Sequence, residues 1–131
     1  MNYPESELLT GLIAAINTKI PGRPVYTVPP KDLVYPYILI NQIFMSEIGS
    51  KNGFIYKFEP LIQVIYKDQS SKTNLINDMN KIHNFVGNGA DITVQGYTVI
   101  CVELISTNTT EELYDFGRLD VGLIRLNIEL K

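Results

Sequence analysis

Phe54-Ile55-Tyr56-Lys57-Phe58-Glu59-Pro60-Leu61-Ile62-Gln63-Val64-Ile65-Tyr66-Lys67-Asp68 is the stretch whose reading decides the fold. Phe54, Tyr56, Phe58, Ile62, Val64 and Tyr66 share one phase of a two-residue alternation, while Lys57, Glu59, Gln63 and Lys67 share the other with Ile55, Leu61 and Ile65. That is the pattern of a strand with one buried face. Pro60 has no N–H to give a ladder, so a bulge or a sheet edge is expected there, with the strand's first half projecting beyond the sheet. After Asp68 the period changes. Ser70 or Ser71 can cap a helix whose Leu75, Ile76, Met79, Ile82 and Val86 fall on one stripe, ended by Gly87-Asn88-Gly89. Asn74, Asn77, Asn80 and Asn84 make its exposed side rich in amides.

Upstream, Tyr37-Ile38-Leu39-Ile40-Asn41-Gln42-Ile43-Phe44-Met45 starts apolar on both alternations, as a strand covered on both faces does. Ser46, Gly49, Ser50, Asn52 and Gly53 supply turn chemistry, so the two runs form a long hairpin. Val25-Tyr26-Thr27-Val28, cut off by Pro29 and Pro30, reads as an edge strand. Before it, Leu8, Leu9, Leu12, Ile13, Ile16 and Ile20 recur at helical spacing between Pro4 and Gly22.

Downstream, Ile92-Thr93-Val94 and the run from Tyr97 to Ile105 flank Gln95-Gly96, which is either a tight hairpin or a kink in one strand. A polar stretch, Ser106 to Glu112, leads to Leu113, Tyr114 and Phe116, then to a last strand from Arg118 to Leu130. Its apolar phase is odd at Leu119, Val121 and Leu123 but even at Ile124, Leu126, Ile128 and Leu130, which reads as a β-bulge beside Gly122. The expected fold is α+β: two helices on a mixed, mainly antiparallel sheet, in the order α-β-β-β-α-β-β with one further strand if Gln95-Gly96 is a hairpin. With 131 residues, one domain over residues 1–131 is expected.

The chain has 11 Lys plus Arg against 14 Asp plus Glu, a formal charge of −3, which argues against a partner that presents phosphates. A single Cys101 forbids an internal disulfide and fits a reducing compartment. Glu5 and Glu7 occupy the first turn where a secretory address would be basic, and no apolar run approaches a membrane span. Catalytic groups are few. His83 has no second His or nearby Cys to share a metal, and Cys101, between Ile100 and Val102, reads as core with no adjacent base. Glu111 and Glu112 point apart on any regular element, and no nucleophile elbow, phosphate loop or dinucleotide fingerprint occurs. No catalytic, cofactor or metal residue is therefore assigned, and no enzyme activity is expected. Lys51-Asn52-Gly53-Phe54-Ile55-Tyr56-Lys57-Phe58 does alternate aromatics with basic residues, so a small nucleic-acid-binding domain with a stacking platform is one alternative.

Val34-Tyr35-Pro36-Tyr37-Ile38-Leu39-Ile40, the passage Ile62-Gln63-Val64-Ile65-Tyr66-Lys67-Asp68 into a helix at Ser70-Ser71, and the closing strand Asp120 to Glu129 together resemble the tail-terminator or tail-completion proteins of long-tailed bacteriophages. The likeness spans Leu8 to Leu130. It implies a virion structural protein, made in the host cytoplasm, whose copies form a ring, typically a hexamer, that ends the tail tube and joins it to the head connector. The partners it implies are further copies of the chain, the tail tube protein and a head-closure or connector protein, with DNA only passing through the ring lumen and no membrane. Another neck component, a head-closure or connector-ring protein, is the alternative within the same class. For such a ring the projecting hairpin from Met45 to Phe58 is the first candidate contact, with Met45, Lys51, Phe54, Tyr56 and Phe58. The loop from Thr107 to Phe116 is the second, with Tyr114 and Phe116.

Overall fold

The computed structural model describes residues 4–32, 34–50, 53–85 and 91–131, apart from the side chains at 48, 50 and 54. The elements are α1 (Glu5–Lys19), β1 (Val25–Tyr26), β2 (Tyr37–Ser50), β3 (Gly53–Lys67), α2 (Thr73–His83), β4 (Val99–Tyr114) and β5 (Gly117–Leu130). One five-stranded sheet has the order β1-β2-β3-β5-β4, parallel only between β1 and β2. The fold is α+β, as the residue periodicities require. The strand that Ile92-Thr93-Val94 would have added is absent. Ile92 and Val94 are buried, but strand pairing begins only where Thr98 and Lys131 exchange backbone bonds of 2.9 Å. Residues 92–94 instead lie against α1.

That contact explains a glycine inside a helix. A Cβ on Gly11 would collide with the Thr93 carbonyl oxygen, a backbone atom that cannot swing aside. Gly11→Ala is therefore expected to destabilise the protein by about 2 kcal/mol through overpacking, although alanine alone would favour the helix by about 1 kcal/mol. A rise in the urea midpoint would contradict this. α1 otherwise follows its pattern: Leu8, Leu12 and Ile16 are fully buried, Glu5 and Glu7 sit at its positive end, and Lys19 sits at its negative end. In α2, Leu75, Met79 and Ile82 are buried, but Ile76 is 45% exposed and Phe85, one turn past Ile82 and not on the expected stripe, is fully buried. Neither Ser70 nor Ser71 is the cap expected from the sequence: Lys72 occupies that position without a side-chain cap bond, and Ser71 Oγ, one residue earlier, accepts the Thr73 N–H at 3.3 Å. The expected stop at Gly87-Asn88-Gly89, and Val86, lie outside the described residues.

The sheet carries a core on each face. Ile38, Ile40, Phe58, Ile62, Val64, Ile124, Leu126, Ile128 and Leu130 meet the helices. On the other face, at one end only, Tyr37, Leu39, Ile65, Leu119 and Val121 pack with Tyr26, Tyr35 and Leu123. This corrects the expected bulge at Gly122. β5 pairs in unbroken register there, Val64 with Gly122 on one side and Thr109 with Gly122 on the other. Its apolar phase changes because odd residues fill the second core and even residues the first.

Pro60 lies in central β3, so the edge alternative fails. The β3–β5 ladder skips Glu59 and Pro60 and resumes in the same register, from Phe58–Ile128 to Leu61–Arg125. The bulge is across the way, in β2 between Ile40 and Gln42. Asn41, the extra residue, accepts the Gln63 side-chain N–H at 2.8 Å.

The polar stretch Ser106 to Glu112 is strand, not loop. Every residue from Ser106 to Tyr114 pairs with β5. Thr107, exposed, and Thr109 and Thr110, half-buried, suit an edge strand because β-branching rather than full burial favours their extended backbone. The expected loop from Thr107 to Phe116 shrinks to a turn at Asp115 and Phe116, closed by Gly117 at φ 138°. The hairpin of β2 and β3 stands clear of the sheet only beyond Glu47 and Tyr56, since β5 still pairs with β3 at Tyr56–Leu130.

Candidate assembly surfaces

The two hairpins point in opposite directions. At the β2–β3 end, Met45 and Tyr56 are half-buried against the helix-side core, and Phe58 is fully buried within it. Tyr56 packs edge-on to Tyr97, with ring centroids 6.0 Å apart. Phe58 has no surface to offer, and Tyr56 faces inward, because even positions of β3 face the helices. Lys57 points to the opposite face and pairs with Glu59 at 3.7 Å. The alternation of aromatic and basic residues therefore does not build a platform on which bases could stack. Lys51 lies outside the described residues, as does the side chain of Phe54, whose backbone pairs with Gly49.

The β4–β5 end differs. Tyr114 and Phe116 stack at 4.9 Å with their planes 7° apart and remain about half-exposed, beside Leu113 at 83%. Lys67 Nζ lies 5.3 Å from the Phe116 ring centre and 5.8 Å from that of Tyr35. Tyr35 in turn meets Tyr37 at 5.5 Å, and Tyr37 meets Tyr26 at 5.9 Å. A row of rings thus leads from the second core to the exposed tip. The tip is braced: Asp68, at φ 52°, accepts the Arg118 N–H through its carboxylate at 2.8 Å and donates its own N–H to the Arg118 carbonyl at 2.9 Å. Arg118 also donates to the Gln69 carbonyl and pairs with Asp120. Lys72, before α2, holds Glu111 of β4 at 3.0 Å and keeps that carboxyl below its ordinary range. The Tyr114 hydroxyl donates to Glu112, which raises the phenol's pKa.

Several exposed residues escaped the sequence reading because each falls where the alternation is broken. Ile100 and Ile105, both 45% exposed, sit at the two register shifts of edge strand β4, with Leu104 beside the second. Phe44 is 57% exposed on the face without helices, with Arg125 over its ring at 5.3 Å.

The groups with chemical potential stand apart. Cys101 is half-buried on β4 rather than in the core; burial, then Glu103 and Glu129, pushes its thiol up to about 11, against thiolate formation. Burial lowers the pKa of His83, whose Nε2 has no hydrogen-bond partner among the described residues. Among the described residues no three His, Cys, Asp or Glu side chains converge as a metal site, and no helix is long and apolar enough to cross a membrane.

No family model matches the sequence, and no curated protein matches it. Among solved structures, the chain is similar to a component of the virion of a native gene transfer agent particle. The two share a TM-score of 0.68 at 15% identity, over 95% of this chain and 98% of the other. That similarity is one of fold, and it extends over nearly the whole of both chains.

Proposed function

We propose that this chain is a phage-type virion structural protein whose copies form a ring, a hexamer in the manner of tail terminators, that ends the tail tube and joins it to the head connector. The observation that carries the reading is the end-to-end correspondence with a gene transfer agent virion component. The shape of the chain supports it: an exposed aromatic pair on a braced hairpin at one end, and a second hairpin at the other, suit a subunit stacked between unlike neighbours.

Native mass and negative-stain images of the purified protein, together with its location in particles, test the reading. Closed rings and a position at the head–tail junction are expected; absence of the polypeptide from mature particles would overturn it. The contact role of the braced tip has its own test. Tyr114→Ser with Phe116→Ser is expected to change folding stability by no more than about 1 kcal/mol, yet to lower the yield of joined particles at least about tenfold. Undiminished joining would remove the tip from the contact. Phe54→Ser asks the same of the opposite hairpin; Tyr56 is left in place, because it packs on Tyr97 and the helix-side core and its loss would also cost folding.

A further inference from the structure

The sheet ends on both sides in a long strand edge that no strand covers among the described residues. β1 pairs with β2 only at Ile38 and Leu39, so β2 has no outer neighbour from Gln42 to Ser50. On the far side, β4 has none along its whole length. Past its second bulge it pairs continuously with β5 from Ser106 to Tyr114, nine residues; Gln42 to Ser50 pairs with β3 over nine as well. Open edges are usually protected by lysine, proline or a bulge. Neither Gln42-Ile43-Phe44-Met45-Ser46-Glu47-Ile48-Gly49-Ser50 nor Ser106-Thr107-Asn108-Thr109-Thr110-Glu111-Glu112-Leu113-Tyr114 contains a lysine, an arginine or a proline, and the bulges at Asn41 and Ile105 lie just outside them.

We propose that the Ser106–Tyr114 edge of one copy pairs, antiparallel, with the Gln42–Ser50 edge of the next, so that the sheet continues from subunit to subunit. The proposal rests on the ring reading above and names the surfaces that would close the ring. Strand direction permits it: three antiparallel steps separate β2 from β4, so β4 runs opposite to the β2 of a copy placed beside it in the same sense. Charge selects this pairing over β4 against its own copy. From Val99 to Phe116 the chain carries Glu103, Glu111, Glu112 and Asp115 and no base, whereas Gln42 to Ser50 carries one acid, Glu47. Self-pairing of β4 along Ser106–Tyr114 would set Glu111 opposite Thr109 and Glu112 opposite Asn108, which brings the acids of the two copies together on the diagonal with only Lys72 to offset them. Two unlike edges make a head-to-tail contact, the kind that propagates into a ring when its rotation closes.

Hydrogen exchange on the full chain, in rings free or seated on tail tubes and in dilute monomer, tests the proposal. Alternate amides of 106–114 and of 42–50 are expected to slow together by roughly a hundredfold on assembly. Rings in which both edges exchange as fast as in the monomer would overturn the edge pairing and leave the ring reading standing; failure to form rings in either setting would overturn both. Protection of 106–114 alone, in a particle of dimer mass, would mean β4 pairs with itself and would also overturn the proposal. A pair of variants supplies an independent check. Neighbouring residues of an edge strand alternate between an amide directed inward and one directed outward. Of Thr107→Pro and Asn108→Pro, the outward case is expected to keep the monomer's unfolding midpoint yet lose assembly, and assembly by both would sink the idea.

Discussion

Phe58→Ala is expected to destabilise the protein by about 4 kcal/mol, enough to unfold much of a domain of ordinary stability. Phe58 is fully buried and belongs to the core shared by both helices and strands β2, β3 and β5. It stands opposite Met45 on one side and Ile128 on the other. Truncation therefore opens a cavity in the middle of the sheet, where three paired strands resist collapse. Urea unfolding followed by circular dichroism measures the loss. A cost below about 1 kcal/mol would mean that the ring is not packed as described. The same measurement separates core from contact. Phe58→Ala should lower assembly only as far as it lowers folding, whereas the Tyr114 and Phe116 double variant should lower joining with folding intact.

The contrast between these aromatics shows what the sequence can and cannot convey. Alternation from Phe54 to Tyr66 correctly implies a strand whose even positions are buried, though not that Ile65 is buried on the other face as well, and the helical stripes at Leu8 to Ile20 and Leu75 to Ile82 correctly place two helices against it. Alternation does not say how far a neighbour extends. Because β5 reaches Tyr56, residues that look like a projecting tip at Met45, Tyr56 and Phe58 are drawn toward the core. The opposite error occurs at Ser106 to Glu112. Polar residues there carry no burial signal, because none of that edge stretch is buried and only Thr109 and Thr110 are half-buried, and only the threonines' β-branching betrays the strand. Gly122 illustrates a third limit. One strand serving two cores mimics a register slip, and only the unbroken pairing on both sides distinguishes the two. Gly11 reads as an ordinary weak helix position until the Thr93 carbonyl is seen against it.

Asp78→Ala is expected to cost about 3 kcal/mol, because it removes one member of a buried charged cluster and leaves its partners behind. Asp78 is 3% exposed and sits on the sheet-facing side of α2. Its carboxylate accepts from the Tyr66 hydroxyl of β3 and from Arg23 Nε at 3.1 Å; Arg23 Nε is also 3.2 Å from the Tyr66 oxygen. Arg23 lies just before β1, so the cluster joins the exit from α1, the central sheet and the second helix at one point. A pH signature accompanies it. Burial, then the hydrogen bond to Asp78, raises the Tyr66 phenol to about 12, outweighing the opposing pull of Arg23. The folded protein thus holds this proton more tightly than the unfolded chain, whose tyrosines ionise near pH 10. The contribution is fully present below about pH 10 and is lost as pH rises through about 12, by ~2 kcal/mol. Tyr66→Phe has no such proton to lose. Its stability should fall less steeply between those pH values than that of the natural protein, although it starts lower because Asp78 has lost a donor. Equal slopes for the two proteins in alkaline urea titrations would show that the Tyr66 proton does not hold the three elements together.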